Sequence, residues 1–198
     1  MTTLTSHVLI YLYWVFLLLV TSGALVGAVL AFRLQRRVYA IGSAGALAAA
    51  LLIAAVPIPS GPSVFGIVLG MVAVGLAAVG GGPLAVLVLD LATKNTVPPG
   101  SHGGILVEDG PPADTVAPAG VHEVLRGGLT IGILERVATA GAILAGFPEA
   151  LAVIVAIKGV GRFTELSAAE ARERFIIGTF TSLIWASACA ALVRLAVT

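Results

Sequence analysis

The stretch ILERVATAGAILAGFPEALAVIVAIKGVGRF, residues 133–163, is oily enough to sit in lipid, yet it carries Glu135 and Arg136 near one end and Lys158 and Arg162 near the other. A carboxylate among three cations can do two things in such a setting. The cations can grip an anionic head group or small anion, with Glu135 holding one of them in place or acting as a base. Alternatively Glu135 and Lys158 form a structural ion pair and the arginines reach to lipid phosphates. Ionisable residues inside a membrane are costly, about 2.5–3.5 kcal/mol each near the bilayer centre on insertion scales, so they mark candidate functional sites.

The elements that must position these residues follow from the apolar pattern. The chain has 198 residues, 59% of them hydrophobic and only 11% charged, with a mean hydropathy of +1.08. A soluble domain carries roughly 25% charged residues, so this composition calls for lipid as solvent. The reading is an all-α, polytopic integral membrane protein of one domain with about six transmembrane helices. They are expected at 8–32, 38–56, 64–91 (interrupted at 80–83), 128–146, 148–162 and 168–196. The fourth and fifth form a hairpin short enough to be re-entrant. Gly146 suits a C-terminal cap and Pro148 the first turn of the next helix. Ser167 and Glu170 have capping-box spacing, and Glu170 pairs with Arg174 at i,i+4.

An antiparallel hairpin turning near 147 places Arg136 level with Lys158, and Glu135 within a turn of both. These charges are expected in the inner half of the bilayer, one turn from Arg162. The glycine-rich start of the same helix, RGGLTIG, exposes backbone N–H groups that also favour an anion.

Sidedness is read from lysine and arginine. Arg33, Arg36 and Arg37 follow the first helix, and Arg162, Arg172 and Arg174 lie between the fifth and sixth. Lys94 and Arg126 flank the polar, Pro- and Gly-rich loop at 92–120, which is therefore cytoplasmic. Both termini are expected outside, in a bacterial cytoplasmic membrane, with Arg194 as the dissenting charge. Tyr11, Tyr13 and Trp14 suit an aromatic belt at the outer face. The first apolar run is too long for a cleaved signal peptide and is read as a retained helix.

Gly80, Gly81, Gly82 and Pro83 form the second unusual feature. Three glycines and a proline are poor helix formers, so a helix break is expected there, of the kind that lines transporter sites. The alternative is a packed half-helix. Glycine pairs at i,i+4 recur at Gly23/Gly27, Gly66/Gly70 and Gly128/Gly132, which suit close helix contacts within the chain or with a second copy or membrane partner. Asp90 reads as interfacial. GGILVED suits a short strand, and VHEVLR a short interfacial helix.

Several chemistries find no support. The net charge of +1 lacks the basic stripe that nucleic acid needs. The single cysteine, Cys189, cannot form an intrachain disulfide. His102, Glu108, Asp109, Asp114, His122 and Glu123 match no zinc spacing, so no metal or other cofactor is expected. There is no Walker A sequence and no nucleophile elbow.

Residues 128–186 resemble the C-terminal region of a group of bacterial multi-pass membrane proteins. The likeness lies in a Leu-Glu-Arg start, an Ala-x-Lys-x-x-x-Arg-Phe core and an Ile-Gly-Thr-x-x-Ser helix. It implies Glu135, Arg136, Lys158, Arg162, Gly178, Thr179 and Ser182 as motif positions, with no activity attached. The expected function is non-catalytic binding of an anionic lipid head group or small anion at the cytoplasmic interface, as a carrier or accessory subunit. The alternatives are an enzyme acting on a lipid-linked phosphate, with Glu135 as base and His102 or His122 as a further donor, and an ion- or proton-coupled transporter using Glu135 and the 80–83 break.

Overall fold

The structure is a computed structural model that describes residues 2–58, 61–93, 105–108, 121–124, 128–161 and 169–198. They form six helices and one two-stranded hairpin. The order is α1 (Thr2–Leu34), α2 (Arg37–Ala54), α3 (Ser63–Thr93), β1 (Ile105–Glu108), β2 (Val121–Val124), α4 (Gly128–Leu144), α5 (Ala150–Gly161) and α6 (Ala169–Val197). Four helices are long and apolar enough to cross a membrane: α1, α2, α3 and α6. Their outward faces carry large apolar side chains such as Leu9, Leu19, Leu52, Met71 and Ile184, each at least 61% exposed. Such surfaces are compatible with lipid contact.

The four long helices alternate in direction. Tyr13 donates to the Ile53 carbonyl (3.2 Å), the Trp14 and Phe65 rings lie 5.9 Å apart, and a Cβ on Gly66 would meet Val197 at 3.2 Å. These contacts tie the start of α1 to the end of α2, the start of α3 and the end of α6. The opposite end collects Arg33, Arg36, Arg37, Arg172 and Arg174, and is called the arginine-rich end below. There Arg37 pairs with Asp90 at 3.1 Å, on an exposed edge.

The core is built from small residues. Ala24, Ala28, Ala50, Ala77, Ala186 and Ala190 are buried at helix crossings, with Leu17, Leu69, Leu76 and Leu192 between them. Within lipid no hydrophobic force draws helices together, so close backbone approach must supply the packing. Gly27 shows how. A Cβ there would lie 3.4 Å from Ser43, whose hydroxyl donates to the Ala24 carbonyl at 2.8 Å. Gly27 and Gly66 thus serve contacts within the chain, whereas the Cβ positions of Gly23 and Gly70 are clear of the described residues to 4 Å. Trp14 also packs inside, only 3% exposed, while Tyr11 remains 49% exposed.

Two expectations are corrected. The break at 80–83 is absent: α3 runs as one helix through Gly80, Gly81, Gly82 and Pro83. Helix propensity measured in water argues against that sequence, but packing overrides it. The missing side chains admit two large residues from neighbouring helices, described below. The second correction concerns VHEVLR. Residues Val121–Val124 form a strand, paired antiparallel with Ile105–Glu108 so that Val107 faces His122. The strand expected within GGILVED is present as β1. The valines at both ends of VHEV favour an extended chain once a partner strand exists.

Between α4 and α5 the expected turn is found, with α4 ending at Leu144 and α5 beginning at Ala150, two residues short of the expectation on each side. Gly146 has φ +83°, its N–H bonds to the Ile143 carbonyl (3.1 Å), and the Phe147 N–H bonds to the Ala142 carbonyl (2.8 Å). This pair of bonds is the Schellman cap, and the left-handed residue it needs is glycine. α5 has 12 residues, every one exposed or half-buried, and it rests chiefly on α4.

Candidate functional site

The site grows from Arg136, in the middle of α4. One turn earlier stands Gly132, where a Cβ would lie 3.2 Å from the Arg136 Nη1 atom, so glycine clears the guanidinium's path. On the other side stands Gly81 of α3. A Cβ there would overlap Arg136 Cδ and lie 3.0 Å from its Nε. The side chain therefore lies flat against the α3 backbone. Nε donates to the Ala78 carbonyl at 3.0 Å, and Nη1 donates to the Ser182 hydroxyl of α6 at 3.1 Å.

Trp185 makes the matching contact from α6. It packs where a Gly80 side chain would be, and its Nε1 donates to the Leu76 carbonyl at 3.0 Å. The Gly80-Gly81-Gly82-Pro83 segment is thus a seat for one arginine and one tryptophan. Pro83 lacks an N–H, so the Val79 carbonyl has no helical donor, and this stretch of backbone is unusually rich in acceptor capacity. Two of the carbonyls beside it, on Leu76 and Ala78, take a side-chain donor.

Arg136 lies level with the middle of the long helices. Ala78 is the central residue of the 31-residue α3, and Ser182 lies next to the centre of the 29-residue α6. Arg136 is only 5% exposed. Both of its hydrogen-bond acceptors are neutral, and among the described residues no carboxylate bonds to it.

Glu135, next in sequence, is committed elsewhere. It forms a close ion pair with Lys158 of α5, each side chain less than one-fifth exposed. Lys158 Nζ also stands 5.7 Å from the centre of the Phe175 ring, a cation–π distance. The hairpin arithmetic had placed this pair within reach, and the structure brings it together. Arg162 lies outside the described residues, as do Ser167 and His102. The side chains of Glu170, His122 and Glu123 are likewise outside them.

A cavity of about 360 Å³ opens beside Arg136 and runs to the arginine-rich end, where Gln35, Gly128 and Arg174 line it. That volume is at the low end of the roughly 300–1,000 Å³ of small-molecule pockets. Arg136, Ser182 and Thr179 line its deep part, and Lys158 one side. Thr179 is 8% exposed, and its hydroxyl has no hydrogen-bond partner among the described residues. Thr179 and Ser182 are i,i+3 on α6, hence on one face. The walls are apolar: Phe32, Val86, Leu89, Leu129, Ile131 and Phe175. Among the described residues no carboxylate lines the cavity, and no group of three or more His, Cys, Asp or Glu could hold a metal ion.

Sequence reasoning missed Arg174 as a cavity residue, having used it as a marker of sidedness and a partner of Glu170. It took 80–83 for a break. Of the two hydroxyl residues among the motif positions, Ser182 accepts from Arg136, whereas the Thr179 hydroxyl has no partner among the described residues. No family of known proteins matches this chain by its family model, and no curated protein or solved structure matches it either.

Proposed function

We propose that this is a non-catalytic membrane protein that binds an anion in the Arg136 cavity, as a carrier or an accessory subunit of a membrane complex. One observation carries the reading. A buried guanidinium hydrogen-bonds only to neutral oxygens and borders an open cavity. A buried charge without a counter-charge is expensive, so an anion that completes it binds with the advantage of relieving that cost. Thr179 and Ser182 place two hydroxyls on the same wall, and the covered Thr179 hydroxyl has no partner among the described residues.

In this reading the arginine-rich end faces the cytoplasm, which follows the positive-inside rule and puts both termini outside. The α4–α5 hairpin enters from that side and turns back within the membrane. Its 17 and 12 residues correspond to about 26 Å and 18 Å of helix. Because Arg136 is level with Ala78, the end of α4 at Leu144 comes level with Gly70, and the turn at Phe147 lies about 6 Å short of the start of α3. The four long apolar helices suit a cell membrane, and a bacterial cytoplasmic membrane is the proposed location.

Native mass spectrometry in a mild detergent tests the reading, with wild type beside Arg136→Gln. The wild type is expected to retain a discrete anionic lipid or metabolite that the variant loses. A folded variant with the same adducts as wild type would sink the proposal.

A further inference from the structure

We propose that the Arg136 cavity selects a singly charged amphiphile: one carboxylate at its deep end, on an apolar body of a few carbons. This rests on the anion-binding reading and narrows it to a ligand class.

Three observations lead there. First, the charge available at the deep end is one. Glu135 already neutralises Lys158, which leaves the Arg136 guanidinium as the deep cation with only neutral partners. Arg174, at the far end of the cavity, makes interactions of its own. A multiply charged phosphate buried at mid-span would keep excess negative charge in a medium of low dielectric, where an uncompensated ion is costly. A carboxylate balances the guanidinium and matches its planar fork.

Second, the donors at the deep end suit one small head. Arg136 Nη2 makes no hydrogen bond among the described residues, and neither does the Thr179 hydroxyl. Nη2 offers a donor to one oxygen of a carboxylate, and the covered Thr179 hydroxyl reaches the second by a rotation about its Cα–Cβ bond.

Third, the rest of the wall offers no polar reason for a sugar or a peptide. Between Arg136 and the cavity's far end the lining is Phe32, Val86, Leu89, Leu129 and Phe175. Each buried methylene of a ligand there contributes favourably, so affinity rises with chain length until the volume is filled.

Trp185 provides the readout. Its ring touches the same Gly81 seat as Arg136, with Cδ1 3.3 Å from the Gly81 Cβ position. The only other tryptophan, Trp14, lies toward the opposite end of the bundle, and its Nε1 has no partner among the described residues, so Trp14→Phe leaves Trp185 as sole reporter. Trp185 fluorescence would be titrated in dodecyl maltoside with hexanoate, acetate, 1-hexanol and inorganic phosphate. Hexanoate is expected to saturate the signal, with acetate, 1-hexanol and phosphate each at least about tenfold weaker. Thr179→Val keeps the side chain's shape and removes its hydroxyl; it is expected to weaken hexanoate about three- to tenfold. Arg136→Gln is expected to abolish saturation.

The failures separate. Phosphate binding as tightly as hexanoate overturns the carboxylate class and leaves the anion site standing, as does acetate matching hexanoate. Hexanol matching hexanoate, or no response to either anion, overturns both proposals. Unchanged hexanoate affinity in Thr179→Val, with the fold intact, overturns the assignment of the deep donors.

Discussion

Replacing Gly80 with alanine tests whether the glycine-rich segment is a seat rather than a break. A Cβ on Gly80 falls on the Trp185 ring, 2.7 Å from Cε2 and 2.9 Å from Nε1. The ring cannot swing aside cheaply, because it is 4% exposed and tied to the Leu76 carbonyl. Overpacking of this kind costs about 1–3 kcal/mol, and a displaced indole forfeits a further ~1 kcal/mol of hydrogen bond. Against that stands the intrinsic helix gain of alanine over glycine, about 1 kcal/mol. The net expectation is about 1–3 kcal/mol of destabilisation. Gly70→Ala is the control, since its Cβ position is clear of the described residues to 4 Å and only the helix gain applies. Reversible unfolding in mixed dodecyl sulfate and maltoside micelles, followed by tryptophan fluorescence, measures both. Equal stability of the two variants would refute the packing argument, because a broken or loosely covered helix would treat the two positions alike.

Other perturbations separate buried from exposed electrostatics. In a double-mutant cycle, Glu135→Gln and Lys158→Gln should each cost more than half of the double variant, with a coupling of about 1–3 kcal/mol. The same cycle on Arg37 and Asp90, whose side chains are 55% and 32% exposed, should give under about 1 kcal/mol and fade with added salt. Cys189 is 0% exposed, so a maleimide should label it only as fast as the bundle opens, and mild detergent should leave it unreacted. Rapid labelling of the native protein would contradict the packing of α6.

The parts of this architecture that the sequence revealed are those with a one-dimensional signature. Four long apolar runs, the turn at Gly146 and the level pairing of Glu135 with Lys158 follow from composition, cap chemistry and helical rise. The contacts of Arg136 do not, because a backbone carbonyl accepts from any donor and the residue behind it leaves no mark. Ala78 could not have been named as its partner. The run at 80–83 misled for a related reason. Glycine destabilises an isolated helix and admits a neighbour to a packed one, and only the neighbour decides which effect wins. VHEV was ambiguous because its pattern suits either a strand or a helix entry, and the partner strand lies across a long loop.

The two hydrogen bonds of Arg136 also impose an order on synthesis. Its carbonyl partner lies 58 residues earlier in the chain and its hydroxyl partner 46 residues later. When α4 leaves the ribosome, α3 is already available, but Ser182 and Trp185 are not yet made. Until they arrive the guanidinium has only part of its seat, and the short α4–α5 hairpin has no second wall to lean on. The site is therefore complete only once α6 has packed, which makes the last helix to be synthesised the one that finishes it.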